Sequence, residues 1–354
     1  MEIGINLATA SDSWKVVKRA EELGFAYAWF YDTQMLSADV FVAMAAAAMR
    51  TTRIKLATGV LIPSNRIAPV AANALASVNA LAPGRVHFGV STGFTARRAM
   101  GLGPIKLAEM EEYIRIVQAL LRRETVTWEF EGETRKIRFL NPEIDLINTT
   151  DPIPLHISAL GPKGRKLTAK LGAGWLFTIR DVARSAAALA DMKAAWREAG
   201  RPEAALYSTG IASGAIIRDG ESPDSPRVRA QAGPTASIAF HDLAEAADFG
   251  TLGHAVPAIL GRAFDKYLEV YRSYQPADAK YLSNHRGHLM FLRPEEEKIL
   301  TGDLIRALSF TGTEGELIER IQELKRAGYS QFSIHIRYAQ PQMVEEWADL
   351  LAKV

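Results

Sequence analysis

Three short stretches of the chain combine residue types that can do chemistry. Gly89-Val90-Ser91-Thr92-Gly93 matches the G-x-S-x-G pattern, in which a strand-to-helix turn exposes a serine as a nucleophile. That chemistry also needs a helix directly after the turn, a His-Gly-Gly-type oxyanion segment upstream, and an acid and a histidine downstream. Phe94-Thr95-Ala96-Arg97-Arg98 is a poor helix start and no His-Gly-Gly-Gly exists, so a serine hydrolase acting through Ser91 is a distant alternative. What glycines beside small hydroxyl residues offer more generally is close backbone approach to a flat or phosphorylated ligand.

The second stretch is Ser158-Ala159-Leu160-Gly161-Pro162-Lys163-Gly164-Arg165-Lys166. It lies between an apolar run and a helical pattern. Free N–H groups and the positive end of a helix dipole there attract a phosphate, with Lys163 and Arg165 close by. A tight turn with solvated basic residues explains the same loop, and both readings stay open at this point. The third stretch, Asn284-His285-Arg286-Gly287-His288, is polar and glycine-bearing, as a loop that closes over a ligand would be. Two histidines without a nearby carboxylate make a poor metal site, so no metal is assigned. His87, His156 and His335 fall in expected strands, where a hydrogen-bonded interior histidine is the ordinary case, and they stay unassigned. Asp32-Thr33-Gln34 and Asn65-Arg66 are polar groups just past expected strands, some of which helix capping explains.

Other chemistries are removed by what is missing. The 354 residues contain no cysteine, which excludes disulfide frameworks, thiolate metal sites and a cysteine nucleophile. No G-x-G-x-x-G follows the first expected strand, and Gly101-Leu102-Gly103-Pro104 follows no strand, so a nicotinamide Rossmann site is not expected. Forty-two basic against 40 acidic residues leave a net charge of +2, which points to a small-molecule partner rather than nucleic acid or a membrane surface. The start, Met-Glu-Ile-Gly-Ile-Asn, has no basic segment leading into an apolar one, and the longest apolar run, Val40 to Met49, is too short to span a bilayer. The expected location is the cytoplasm.

The elements that must position these stretches follow from a recurring pattern: amphipathic helix, glycine, aromatic, short apolar strand. It occurs at Ala20–Phe30, Leu81–Val90, Lys170–Thr178 and Lys325–Ile336. Glycine just past a helix takes the left-handed conformation that ends it, and the apolar run that follows reads as a strand buried on both faces. Strands are expected near Ile3–Leu7, Ala26–Tyr31, Lys55–Thr58, Val86–Val90, Pro154–Ala159, Trp175–Thr178, Tyr207–Ile217 and Gln331–Ile336, each followed by a helix. Eight such units predict a (β/α)8 TIM barrel, a single domain over residues 1–354, with an open doubly wound sheet as the rival. Two segments stand outside the repeat. Thr125–Phe139 alternates around Glu-Gly-Glu and reads as a β-hairpin inserted before the fifth strand, in a region of about 125–150. The other, about 218–299, starts polar and Pro-rich, continues helical, and ends aromatic and His-bearing, which favours a lid after the seventh strand.

Four stretches together resemble the luciferase-like flavin-dependent oxidoreductase superfamily: LGFAYAWFYD, IKLATGVLIPSNRIAPVAANALASVNALAPGRVHFGVSTG, HISALGPKGRKLTAKLGAGWLF and FTGTEGELIERIQELKRAGYSQF. The nearest likeness is to its shorter members, the FMN monooxygenases and the deazaflavin reductases such as methylenetetrahydromethanopterin reductase. The resemblance implies a flavin ring at the C-terminal mouth of the barrel and its phosphate on the loop Ser158, Ala159, Leu160, Gly161, Pro162, Lys163 and Gly164. It implies a non-prolyl cis peptide at Gly59-Val60 against the ring, with Ser91, Thr92 and Gly93 and then Thr178 lining it. Where luciferases and sugar-phosphate dehydrogenases carry a histidine after the second strand this chain has Thr33-Gln34, and Phe94 stands where the dehydrogenases carry a glutamate. Both departures speak against those two roles. The candidate catalytic residues are therefore His288 and His285 from the lid, with Gln34. The leading expectation is an FMN-dependent monooxygenase in which reduced FMN from a separate flavin reductase meets O2, forms a C4a-peroxide and oxygenates a small organic substrate. The alternative is hydride transfer from a deazaflavin coenzyme. A homodimer is implied by resemblance.

Overall fold

The computed structural model describes residues 1–248, 250 and 256–354. Eight parallel strands, β1 (Glu2–Leu7), β2 (Tyr27–Phe30), β3 (Lys55–Thr58), β4 (Val86–Val90), β5 (Leu155–Ser158), β6 (Gly174–Thr178), β7 (Ser208–Ala212) and β8 (Gln331–Ile336), close into a barrel. Each strand pairs with its neighbours in sequence, and closure comes where Glu2–Leu7 run in register beside Gln331–Ile336. This is the expected (β/α)8 architecture. Burial on both faces explains the unbroken apolar runs: every residue of β2 and of β8 is buried. Alternation then sorts the side chains. Phe30, Phe88 and Ile334 pack outward under the helices, whereas Tyr27, Trp29 and Leu176 fill the lumen. Gly172 and Gly328 end their helices at φ 64° and 100°, the backbone conformation that the repeated glycine predicts.

Three details differ from the sequence expectation. The long strand expected over Tyr207–Ile217 splits. β7 stops at Ala212, and Ile216–Ile217 pair instead with Gly312–Thr313 outside the barrel. The chain returning from the lid crosses at that break: Phe310 donates its N–H to Ser213 O at 2.8 Å, and a Cβ on Gly214 would meet Phe310 O at 1.9 Å. The poor helix start after β4 does form a short helix, Thr95–Arg98, with no side chain capping it. The lid is also longer than expected. Its helices Pro226–Ala236, Ile238–Asp248, Gly261–Ser273, Tyr281–Asn284 and Pro294–Glu297 are followed by Gly302–Leu308, past the expected end at 299. Residues 249 and 251–255 of this insertion lie outside the described residues. The hairpin forms as read, Val126–Phe130 against Glu133–Ile137 around Glu131-Gly132.

The lid holds together through an apolar core of its own. Phe264, Tyr267 and Tyr271 line one face of Gly261–Ser273 at helical spacing and bury against Val228, Phe240 and Ile305. Burial of each such side chain contributes about 1.5–3 kcal/mol. Arg337, directly after β8 and only 2% exposed, ties this unit to the barrel. It donates to Gln231 O at 3.1 Å, Thr235 Oγ1 at 2.7 Å, Leu289 O, and Ser213 Oγ at 3.1 Å beyond β7. No helix among the described residues is long and apolar enough to cross a membrane.

Candidate active site

The loop after β5 carries the features of an anion cradle. Gly161 caps the helix Pro162–Leu171 and no side chain occupies its N-terminal donors. A Cβ on Gly161 would meet nothing within 4 Å, so space is open in front of that helix end. Gly164 serves packing instead, since a Cβ there would lie 3.0 Å from Ala159 Cβ. Ala159 is buried, with its carbonyl accepting from Trp175 Nε1 at 2.8 Å. Leu160, Gly161, Pro162 and Lys163 are exposed along the rim. Arg165 is committed elsewhere: it donates to Leu160 O at 2.8 Å and pairs with Asp191 at 3.1 Å, so it braces the loop.

Two strands away, at the end of β3, the Gly59-Val60 peptide is cis, as the resemblance implies. Gly59 N–H donates to Phe30 O at 2.7 Å, and Leu61 N–H to Gly89 O at 2.8 Å, which fixes this backbone between β2 and β4. A Cβ on Gly59 would lie 2.7 Å from Trp29 Cβ, so only glycine fits. Ser91 Oγ accepts from Gly93 N–H at 3.2 Å rather than pairing with a histidine, and Thr92 O accepts from Ile105 N–H at 3.0 Å. Thr178 is exposed at the end of β6. The residues gathered from β3, β4, β5 and β6 thus share the C-terminal rim, where a parallel barrel collects its reactive groups.

Inside the mouth stands a residue that the sequence reading left unassigned. Both ring nitrogens of His335 are buried without a hydrogen-bond partner, as are Asn6 Nδ2 and Gln331 Nε2. Asn6 and His335 are register partners on β1 and β8, and the His335 ring lies 5.1 Å from that of Tyr31. Burial holds the imidazole well below its usual range, helped by Arg337, and pushes the Tyr31 phenol up, so both are neutral. Gln331 opens β8 at the far end of the barrel, beside Glu2, whereas Asn6 and His335 lie toward the mouth, where the donor and acceptor edge of a flavin-type ring fits their unpaired atoms. The signal was present in the alternation Gln331, Ser333, His335, a polar face in an otherwise apolar strand. His87 and His156 behave as expected of interior histidines: His87 Nδ1 lies 2.9 Å from His156 Nε2.

Gln34 joins three loops. Its Oε1 accepts from Asn65 Nδ2 and its Nε2 donates to Ala96 O, both at 2.7 Å. Asp32, 4% exposed, accepts from Asn65 Nδ2 at 3.1 Å, Ile62 N–H at 3.2 Å and Arg66 Nη1 at 2.8 Å. The Gln34 amide is thus spent at both ends on positioning. His285 and His288 are both buried and lie against each other and against His241 from the helix Ile238–Asp248. Glu245 and Glu296 touch this group, at 2.6 Å from His285 and 2.5 Å from His241. The ground on which a metal was set aside, two histidines and no nearby carboxylate, therefore does not hold. His241 was not singled out because it lies 44 and 47 residues from its partners, as the chain numbering gives.

Residues 6–331 match the luciferase-like monooxygenase family, and the chain belongs to it. A 5,10-methylenetetrahydromethanopterin reductase of Archaeoglobus fulgidus is 27% identical over 317 residues, 89% of this chain and 86% of that one. Limonene 1,2-monooxygenase of Rhodococcus erythropolis is 31% identical over 169 residues, 46% of this chain and 43% of its own. The structure of a coenzyme F420 dependent tetrahydromethanopterin reductase from Methanopyrus kandleri superposes with a TM-score of 0.70 at 18% identity, covering 98% of both chains. That likeness speaks for the fold. The relatives are oxidoreductases, and the protein is an enzyme of the flavin or deazaflavin oxidoreductase class.

Proposed function

We propose that the protein is a deazaflavin-dependent oxidoreductase that passes a hydride between the coenzyme and a small organic substrate held beneath the lid. The observation that carries this reading is the extent of the reductase likeness, which spans 89% of the chain and so takes in barrel and lid together. The coenzyme, when bound, supplies the hydride chemistry. The chain supplies the rest. The helix end at Gly161, with Lys163 on the rim, holds a phosphate. The Gly59-Val60 backbone, Ser91, Thr92, Gly93 and Thr178 bracket the ring, and Asn6 and His335 offer polar atoms to its edge. The lid excludes water from the transfer.

A second reading, the FMN monooxygenase, is favoured by the limonene monooxygenase likeness over 46% of the chain. It requires O2 and a separate flavin reductase. The two separate in one titration series. Purified protein is titrated with the deazaflavin coenzyme and with FMN, each oxidised and reduced. Tight binding of the deazaflavin and its substrate-dependent oxidation or reduction without O2 uptake is the expected result. Binding of FMN alone, with O2 uptake once a flavin reductase is added, overturns the first reading in favour of the second.

A further inference from the structure

The lid holds a group of side chains that the hydride chemistry does not use. His241, His285 and His288 are 1%, 1% and 4% exposed. His288 Nδ1 lies 3.1 Å from His241 Nδ1 and 3.5 Å from His285 Nδ1, and one ligand atom from each ring lies within 4.8 Å of the others. Two outer nitrogens have partners: His241 Nε2 is 2.5 Å from Glu296 Oε1 and His288 Nε2 is 3.1 Å from Thr95 Oγ1. His285 Nε2 lies 2.6 Å from Glu245 Oε1 without the alignment of a hydrogen bond. The two carboxylates are held in turn. Arg293 Nη2 donates to Glu296 at 2.6 Å and Asn284 Nδ2 to Glu245 at 2.8 Å.

An ionised carboxylate only accepts, so His241 carries its proton on Nε2. The Nδ1 lone pair of His241 then faces inward, toward Nδ1 of His288, which also faces Nδ1 of His285. A single cation among them would engage all three nitrogens at once, which one shared proton does not. A tetrahedral ion with metal–nitrogen bonds of about 2.0–2.1 Å separates its ligand nitrogens by about 3.4 Å; two of the three separations, 3.1 and 3.5 Å, straddle that value, and all three lie within 4.8 Å.

We propose that this cluster binds one divalent transition-metal ion of the zinc class through Nδ1 of His241, His285 and His288, with Glu296 orienting the His241 ring. Imidazole donors without a first-contact carboxylate suit Zn2+ and its neighbours rather than Mg2+ or Ca2+. A carboxylate on the outer nitrogen of a ligating histidine fixes its tautomer and strengthens its donor atom. Three protein nitrogens leave the fourth position to a water or a small ligand. The ion would join the helix Ile238–Asp248 to the loop after Tyr281–Asn284, and Thr95 would connect it to the loop after β4. The proposal is independent of which coenzyme the barrel takes.

The test uses the whole chain, stripped with a chelator and then dialysed against Zn2+. The wild type should retain one equivalent per chain by elemental analysis. Co2+ in its place should give the strong visible bands of a four-coordinate site, and Zn2+ should raise the melting temperature. His241→Ala and His285→Ala should lose the equivalent, whereas His87→Asn, in the barrel lumen, should keep it. Glu296→Gln should fold and bind about 10–100-fold more weakly, which keeps the test alive where an alanine variant does not fold. Folded wild type that retains no Zn2+ overturns the proposal, as does retention undiminished in both Glu296→Gln and the folded histidine variants.

Discussion

Gly161 and His335 are single positions at which function and stability can be pulled apart. A side chain on Gly161 enters open space at an ordinary backbone angle of φ −98°, so Gly161→Asp should leave the melting temperature unchanged. Its carboxylate would occupy the helix end and repel a phosphate, and coenzyme affinity should fall by at least about tenfold. Unaltered affinity in a fluorescence titration would remove the phosphate from this loop. His335 makes no hydrogen bond inside the protein, so His335→Phe breaks none. Thermal stability should hold or rise while coenzyme affinity or turnover drops. A variant with wild-type kinetics would return His335 to the role of lumen filler.

At the next level up, Arg337 decides how the lid meets the barrel. Its guanidinium serves Gln231, Thr235 and Leu289 of the lid and Ser213 of the break after β7. Burial draws its pKa down to about 10, against a smaller opposing effect of Tyr31, and it remains charged at neutral pH. Arg337→Met fills similar volume but removes the charged donor from two carbonyls, while Ser213 Oγ and Thr235 Oγ1 keep each other at 2.5 Å, at a cost of about 2–4 kcal/mol. Limited proteolysis should then cut within the lid before the barrel unfolds. Uniform resistance of the variant would show that the apolar contacts of the lid suffice. The loops after β2, β3 and β4 are held by a similar device, the Gln34 amide between Asn65 and Ala96.

Taken as one body, the barrel should lose stability in mild acid. Burial, then the neighbouring His156, lowers the His87 imidazole to about 2, and burial lowers His156 to about 3, from 6.5 when exposed. The unfolded chain therefore binds protons that the folded barrel refuses. The stability conferred by the neutral pair is complete above pH 6.5 and is lost as pH falls from there toward 3, by up to about 1.4 kcal/mol per pH unit for the first proton. Replacing both histidines by glutamine should flatten the urea-midpoint slope between pH 6.5 and 4. An equal slope in that variant would assign the acid sensitivity elsewhere.

Most of the barrel was readable from the chain, because its strands are short apolar runs closed off by glycines. Lys55–Thr58, Val86–Val90 and Gln331–Ile336 have the expected limits. The loop 158–164 was readable too, since a glycine pair opening a helix after a strand is a local arrangement. What local pattern does not carry is which distant side chains meet. His241, Glu245 and Glu296 join His285 and His288 only through the packing of the lid helices, and the unpaired ring nitrogens of His335 are buried beside Asn6 only when β8 closes on β1. Periodicity and turn chemistry act over a few residues and decide elements and their order. Coordination, burial and the pairing of polar atoms depend on contacts between residues far apart in the chain, and the closed barrel with its lid is what creates them.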